Sequence, residues 1–309
     1  MMALRPTAFA LCLALSTALA APASGQHAGP TVLKPHLLRQ GVYWVAGGGS
    51  NTGFVIGKQG VVIIDAQQTA ADARQVLAEI AKLTPNRLSA VVVTHADPDH
   101  VGGLPAYPAG TTIIAQENTP GIIRASAADT SGGRQYGRLY QPLVGFLPTR
   151  TIGSQETLVL NGMRLLLLHA GPGHSSADLV VYLPDQRIVF AGDLITTVGP
   201  YPVIHRGGSS LGWLAFMKAI LALGADTYVG GHGPLETKAQ LQARLRAAEE
   251  RRAQVKKLVD AHKSLAEVKQ ALPEKLSSPL FPGFTETIYQ ELTQGYPPAS
   301  RPWDNLVHP

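Results

Sequence analysis

Five times along this chain of 309 residues a hydrophobic run ends on a histidine or an aspartate, and a glycine- or proline-rich loop takes over. Asp65 follows "VVII", and His95-Ala-Asp97-Pro-Asp99-His100 follows "AVVVT". His174 lies in "HAGPGHSSAD", Asp193 in "FAGDL" and His232 in "GGHGP". Short apolar runs rich in β-branched residues read as strands, and loops at strand ends are where rigid scaffolds place chemistry. One such histidine would be satisfied by ordinary hydrogen bonds. Five coincident placements predict a sheet protein whose strand ends share one polar site. The cluster at 95–100 is the densest. In an extended loop alternate side chains point the same way, so His95, Asp97 and Asp99 face one direction and His100 swings to a second position. Such a set can feed two metals, which in two-metal hydrolases lie about 3.5–4 Å apart.

The rest of the chain supports a layered sheet protein. "GVYWVAG", "TGFVIG" and "GVVIIDA" read as a meander, and residues 68–83 carry helical spacing through Ala71, Val76, Ile80 and Leu83. "LSAVVVTH" is apolar throughout, as in a strand buried on both faces, and "TTIIAQ" reads as another strand. Residues 117–150 read as an irregular insertion over one face. "TLVLNGMRLLLLHA" predicts a hairpin turning at Asn161-Gly162, and "ADLVVYLPDQRIVFAGD" a second turning at Pro184-Asp185. "GWLAFMKAILAL" reads as a helix, "DTYVGGHG" as a strand ending in a glycine turn, and a long helix occupies about 236–260 with shorter ones after it. Meander plus helices, then hairpins plus helices, suits an α/β fold of two mixed sheets face to face with helices outside. One domain over residues 38–309 is enough, its C-terminal helical extension running from about 236 to 309.

The N-terminus has an arginine, an apolar alanine- and leucine-rich run, and small residues at Ala18 and Ala20. This predicts a secretory signal over residues 1–20, a flexible lead-in over 21–37, and a periplasmic or secreted protein. The single cysteine, Cys12, lies within that signal. The mature chain would then have no disulfide and no thiolate, and metal chemistry would rest on histidine and carboxylate. No other segment approaches the ~20 apolar residues of a membrane span, so no membrane anchor is expected. The net charge is +5, but no Arg/Lys-dense stretch interleaves with aromatics, which argues against nucleic acid as a partner. The basic run at 244–257 also carries glutamates and reads as a solvated helix face. A small-molecule substrate remains, with the oligomeric state open.

Taken together these motifs resemble the metallo-β-lactamase superfamily, whose pattern runs His-x-His-x-Asp-His followed by a distant His, Asp and His. The resemblance covers roughly residues 40–235 and implies a four-layer αββα sandwich, with metals in a groove at one edge of the sheets. It implies that His95, Asp97 and His174 hold one metal, that Asp99, His100 and His232 hold another, and that Asp193 bridges them. Asp65 would orient a ligand histidine from behind. Two divalent ions are expected, zinc first.

The departure is Asp97, where the pattern has histidine. An anionic oxygen there admits iron or manganese. Either Asp97 is a true ligand, or it hydrogen-bonds nearby and one metal works at the His100 side. The resemblance further implies a metal-bridging hydroxide as nucleophile, with Asp99 moving the proton. The reaction would be cleavage of an ester, thioester, lactone or lactam outside the cytoplasm. Tyr136, Tyr140, Phe146 and His205 are candidate substrate contacts. Two other classes stay open: an iron-dependent oxidoreductase resembling the persulfide dioxygenases, and a non-catalytic metal-binding protein.

Overall fold

A computed structural model describes residues 32–129, 134–197, 199–275 and 281–295, with the side chains of 134–136 outside the described set. The expected signal over 1–20 therefore lies outside the described residues. The first sheet contains β1 (Pro35–Arg39), β2 (Val42–Val45), β3 (Thr52–Ile56), β4 (Val61–Ile64), β5 (Leu88–Val92), β6 (Thr112–Gln116) and β7 (Arg150–Ile152), in that spatial order. Its strands pair antiparallel as far as β4 and parallel from β4 to β7. The second sheet runs β12 (Thr227–Val229), β11 (Ile188–Phe190), β10 (Val180–Leu183), β9 (Met163–Leu168), β8 (Gln155–Leu160). Only its β11–β12 pair is parallel.

The period-2 alternation of each strand divides its side chains between two apolar layers. Val61 and Ile63 join one cluster while Val62 and Ile64 join another, and Val91 and Val92 part in the same way. In the second sheet Val181, Leu183 and Phe190 enter the cluster shared with Val62 and Ile64, and Val180, Tyr182 and Val189 face away from it. The shared cluster is the layer between the two sheets. The other two lie under helices, which makes the fold the expected four-layer sandwich.

Helix α1 (Ala70–Leu83) is capped by Thr69, whose hydroxyl accepts from the Asp72 N–H, and buries Ala73, Val76 and Ile80 on the first sheet. The short α2 (Pro98–Val101) carries the densest polar cluster. Helices α3 (Thr119–Ala128) and α4 (Arg134–Tyr140) cover the rest of that face. On the second sheet lie α5 (Ser210–Ala222), α6 (Lys238–Asp260), α7 (Leu265–Ala271) and α8 (Phe284–Gln294).

The Asn161-Gly162 hairpin is as read. Leu160 pairs with Met163, and both turn residues have positive φ, 53° and 78°, as a two-residue type I′ turn requires. Three expectations are corrected. Residues 117–150 are not irregular: α3, α4 and a 3-10 turn at Gln141–Phe146 occupy them, burying Ile122, Ile123, Tyr140 and Leu143. The small residues of "ASAAD" blurred the helical period. The lead-in ends before 37, because β1 starts at Pro35 and Leu33 is buried; proline is tolerated as the first residue of an edge strand. The basic face of α6 is only partly solvated. Arg244 pairs with Glu236, Arg252 with Glu291, and Arg251 donates to the Leu272 carbonyl. Among the described residues, no helix is long and apolar enough to cross a membrane.

Candidate metal centre

All five polar strand ends converge. Asp65 follows β4, His95 follows β5, His174 lies in the β9–β10 loop, Asp193 follows β11 and His232 follows β12. Asp65 takes φ 64°, a left-handed conformation that is costly for a non-glycine residue and concentrates at functional sites. That bend turns its carboxylate toward the end of β5. There it accepts from the Thr94 N–H (2.7 Å) and the Thr94 hydroxyl (2.8 Å), and it contacts His100 Nδ1 at 2.8 Å.

These contacts fix how the imidazoles point. His100 Nδ1 donates to Asp65, and His174 Nδ1 donates to the Val203 carbonyl (2.8 Å). The Thr94 hydroxyl gives its hydrogen to Asp65, so it accepts from His95 Nδ1 (3.1 Å). Each neutral ring is therefore left with its lone pair on Nε2, aimed into the cluster. His95 Nε2, His100 Nε2 and Asp193 Oδ1 are buried there without a hydrogen-bond partner. Burying polar atoms unpaired is costly, and three at one point fit a cation as their partner.

The donor atoms fall into sets. His95, Asp97 and His174 form one; Asp99, His100 and His232 form another; and Asp193 groups with His95 and His100 between them. Asp97 Oδ2 lies 3.6 Å from His95 Nε2 and 3.5 Å from His174 Nε2. Asp193 Oδ1 lies 3.3 Å from both His100 and His232 Nε2, and Asp99 Oδ2 lies 3.1 Å from His232 Nε2. A tetrahedral site with metal–ligand bonds near 2.1 Å has donor–donor edges of about 3.4 Å. The residues present fit two divalent ions.

Glycine is needed beside this cluster. A Cβ on Gly231 would stand 1.9 Å from Asp193 Oδ1 and 2.9 Å from His100 Cε1. Asn51 holds the same turn from the first sheet: its amide donates to the carbonyls of Gly230 and Gly233 (2.9 and 2.8 Å).

In the metal-free form the same donors compete for protons. Burial opposes charging of His174, but its hydrogen bond to Asp97 and the charges of Asp193, Asp97 and Asp178 raise it to about 9. His232 likewise rises against burial to about 10, through the nearby carboxylates of Asp193 and Asp99. Burial opposes ionisation of Asp193, yet His100 and His232 hold it well below the usual carboxylate range. Asp97 is held low in the same way by the surrounding histidines, His205 first.

The family model for the metallo-beta-lactamase superfamily matches residues 45–232, more than half of the chain. The chain belongs to the metallo-beta-lactamase superfamily. Among curated relatives, a linear primary-alkylsulfatase from Pseudomonas sp. (strain ATCC 19151) is 26% identical over 226 residues, covering 61% of this chain and 42% of its own length. The 2,4-dinitroanisole O-demethylase subunit alpha of Nocardioides sp. (strain JS1661) is 27% identical over 199 residues, covering 63% of this chain and 56% of its own length. This chain thus spans about half the length of the curated relatives it matches. A solved metallo-beta-lactamase from Pontibacter korlensis superposes with TM-score 0.59 at 21% identity, over 70% of this chain and 99% of its own. A stereoselective inverting sec-alkylsulfatase from Pseudomonas sp. superposes with TM-score 0.65 at 17% identity, over 87% of this chain and 52% of its own. At these identities the solved structures speak for the metallo-beta-lactamase fold alone.

Not every expected residue lies where the sequence suggested. Tyr140 is fully buried, and its hydroxyl accepts from Arg206 and donates to the Ala96 carbonyl. It supports the 95–100 loop and does not face a substrate. Phe146 packs against the outer core of the first sheet. The side chain of Tyr136 lies outside the described residues. His205 is buried, with Nε2 turned into the Asp97 set. His169, a strand-end histidine, bonds the Asp178 carbonyl through Nδ1 and packs on Phe216.

Two residues went unnoticed in the sequence. Asp178 collects the N–H groups of Gly173 and Ser175 and the Ser175 hydroxyl, folding the His174 loop around itself. Its signal was the polar "HSSAD" run, where a buried aspartate can gather backbone donors. Arg206 is buried and φ-strained at 48°, and its Nε donates to Asp97 Oδ1 at 2.8 Å. The same guanidinium donates to the hydroxyls of Ser126 and Tyr140, both at 2.9 Å. Nothing in the local sequence marks it.

Proposed function

We propose that this protein is a metal-dependent hydrolase that cleaves an ester, thioester, lactone or lactam of a small molecule outside the cytoplasm, with the ester first. The observation that carries this is Asp193 Oδ1, buried without a hydrogen-bond partner and equidistant, at 3.3 Å, from His100 and His232 Nε2. Divalent ions held by His95, Asp97, His174, Asp99, His100 and His232, zinc first, would supply Lewis acidity and lower the pKa of water toward neutrality. The chain's own residues do the rest. Asp65 and Thr94 lock His100 and His95 in one ring orientation, so no reorganisation is required when substrate arrives. Asp99 and His232 are the open side of the cluster, each with 24% of its side chain exposed, whereas His95, His100 and His174 are closed off. Asp99 is the carboxylate best placed to pass a proton to a departing oxygen. A curated relative named for linear primary alkyl sulfates supports the ester branch and extends it to sulfate esters.

The test is a panel of chromogenic carboxylic esters, aryl sulfates, thioesters, lactones and lactams, offered to the zinc-loaded protein and to Asp193→Ala. We expect turnover of at least one ester, reduced about 10³-fold or more in the variant, the scale of losing a group that acts on the reacting centre. No turnover across the panel, or equal turnover by both proteins, refutes the reading. The extracytoplasmic site rests on the character of residues 1–20 and on a donor set free of cysteine, which an oxidising compartment leaves intact. N-terminal sequencing of the exported protein should begin at Ala21; an intact Met1 on active protein would contradict it.

A further inference from the structure

We infer that His205 is a fourth donor to the first cation, taking the place that Asp97, being shorter than histidine, leaves open. This rests on the reading that the cluster binds divalent ions. His205 Nε2 lies 2.9 Å from Asp97 Oδ2 and 3.0 Å from His174 Nε2. His174 has committed its Nδ1 hydrogen to Val203, so its own lone pair faces His205. Three electron-rich atoms thus converge, with His95 Nε2 beside them at 3.6 Å from the same Asp97 oxygen. One shared hydrogen can satisfy the metal-free form. A cation would satisfy all four donors at once. The Asp97 edges to His95 and His174 are already 3.6 and 3.5 Å, and only His205 would have to draw back by a few tenths of an ångström to reach edges of about 3.4 Å.

His205 does not reach this place by chance of rotamer. Its loop is laced to the loop bearing His174: the His205 N–H donates to the His174 carbonyl (2.9 Å), Ser176 N–H to Arg206 O (3.0 Å), and Ser209 N–H to Gly173 O (2.8 Å). The two histidines are therefore presented as one rigid pair. Phe281 covers the outer face of the His205 ring, with centroids 4.5 Å apart, and the side chain is 1% exposed. Arg206, the next residue, ties up the other oxygen of Asp97 and offsets its charge.

Two consequences follow for the site. The first position would have four protein donors, three of them imidazole, as in closed sites that leave no place for substrate. Water and substrate would then meet the chain at the second position, beside the exposed Asp99 and His232. With Asp97 neutralised and three nitrogens present, the case for iron or manganese from Asp97 weakens, and zinc gains.

The test uses the full chain labelled with ¹⁵N-histidine and titrated with zinc, the imidazole nitrogens being followed by long-range ¹H–¹⁵N correlation. His205 Nε2 is expected to lose its proton and move to the metal-bound range together with His95 and His174. If zinc is taken up and His205 keeps an Nε2 proton, this inference falls while the metal reading stands. If the wild-type protein takes up no zinc, both fall. His205→Ala is expected to weaken the first ion by more than the ~100-fold typical of losing a mere orienting partner. The ion at the Asp99–His100–His232 position should change less than about tenfold, and equal weakening of both ions would overturn the assignment.

Discussion

Replacing Arg206 by methionine is expected to lower the unfolding free energy by about 3–5 kcal/mol, the cost of stranding one member of a buried ion pair. Arg206 is 1% exposed and spans Asp97, Ser126 and Tyr140, which come from three separate parts of the first half of the chain. Removing it takes the charged donor from Asp97 Oδ1 and one donor from each of two buried hydroxyls together. Arg206→Lys should recover little. An ammonium is a point charge, and it cannot aim a planar fork at three acceptors in different directions. The remedy should instead be to remove the other charge. Asp97→Leu added to Arg206→Met is expected to restore a large part of the loss in metal-free protein, because a buried pair costs more to break than to replace. Urea midpoints of the three variants decide this. A loss below about 1 kcal/mol for Arg206→Met would mean that the Asp97 oxygen finds another donor, and that the buried arginine is dispensable.

This pair also marks the limit of what could be read from the chain. The sandwich was legible because its strands alternate residue by residue: Val61 and Val62 belong to different apolar layers, and so do Val91 and Val92. The donor cluster was legible because its members end apolar runs, where few other roles call for histidine or aspartate. Asp65 was legible for the same reason, and it does orient His100. Arg206 was not. It stands 109 positions from Asp97, in a loop with no periodicity, and an arginine in "VIHRGG" reads as solvated. His205 beside it reads from sequence only as a candidate substrate contact, because a lone histidine offers no clue to which way its loop faces. Tyr140 failed likewise: only packing of α3 and α4 against the first sheet sends its hydroxyl under Ala96 instead of into the groove. Local pattern identifies the groups that can do chemistry. Which of them hold the others in place depends on contacts distant in sequence.

Removing zinc should have an effect of similar size, a destabilisation that grows as the pH rises. In the metal-free fold His174 lies near 9 and His232 near 10, so both hold protons at pH 7. Metal ligation requires neutral imidazole, so binding at pH 7 is expected to release at least one proton from each half of the cluster. Affinity should then rise by about tenfold per pH unit for each proton released, and flatten as the pH passes roughly 9 to 10. The metal-free protein should trend the other way. Its two histidines are raised above the ~6.5 of an unfolded chain, so their contribution to stability is complete below that value and is lost as the pH climbs through about 9 and 10. Melting curves of the two forms between about pH 6 and pH 9 should therefore diverge as pH rises. Zinc at a thousand times its dissociation constant adds about 4.1 kcal/mol to the loaded form. Calorimetric titration in buffers of different ionisation enthalpy counts the protons directly. Binding with no proton release at pH 7 would show that His174 and His232 are neutral before the ion arrives. It would remove the proton as the stand-in for the cation in the metal-free cluster.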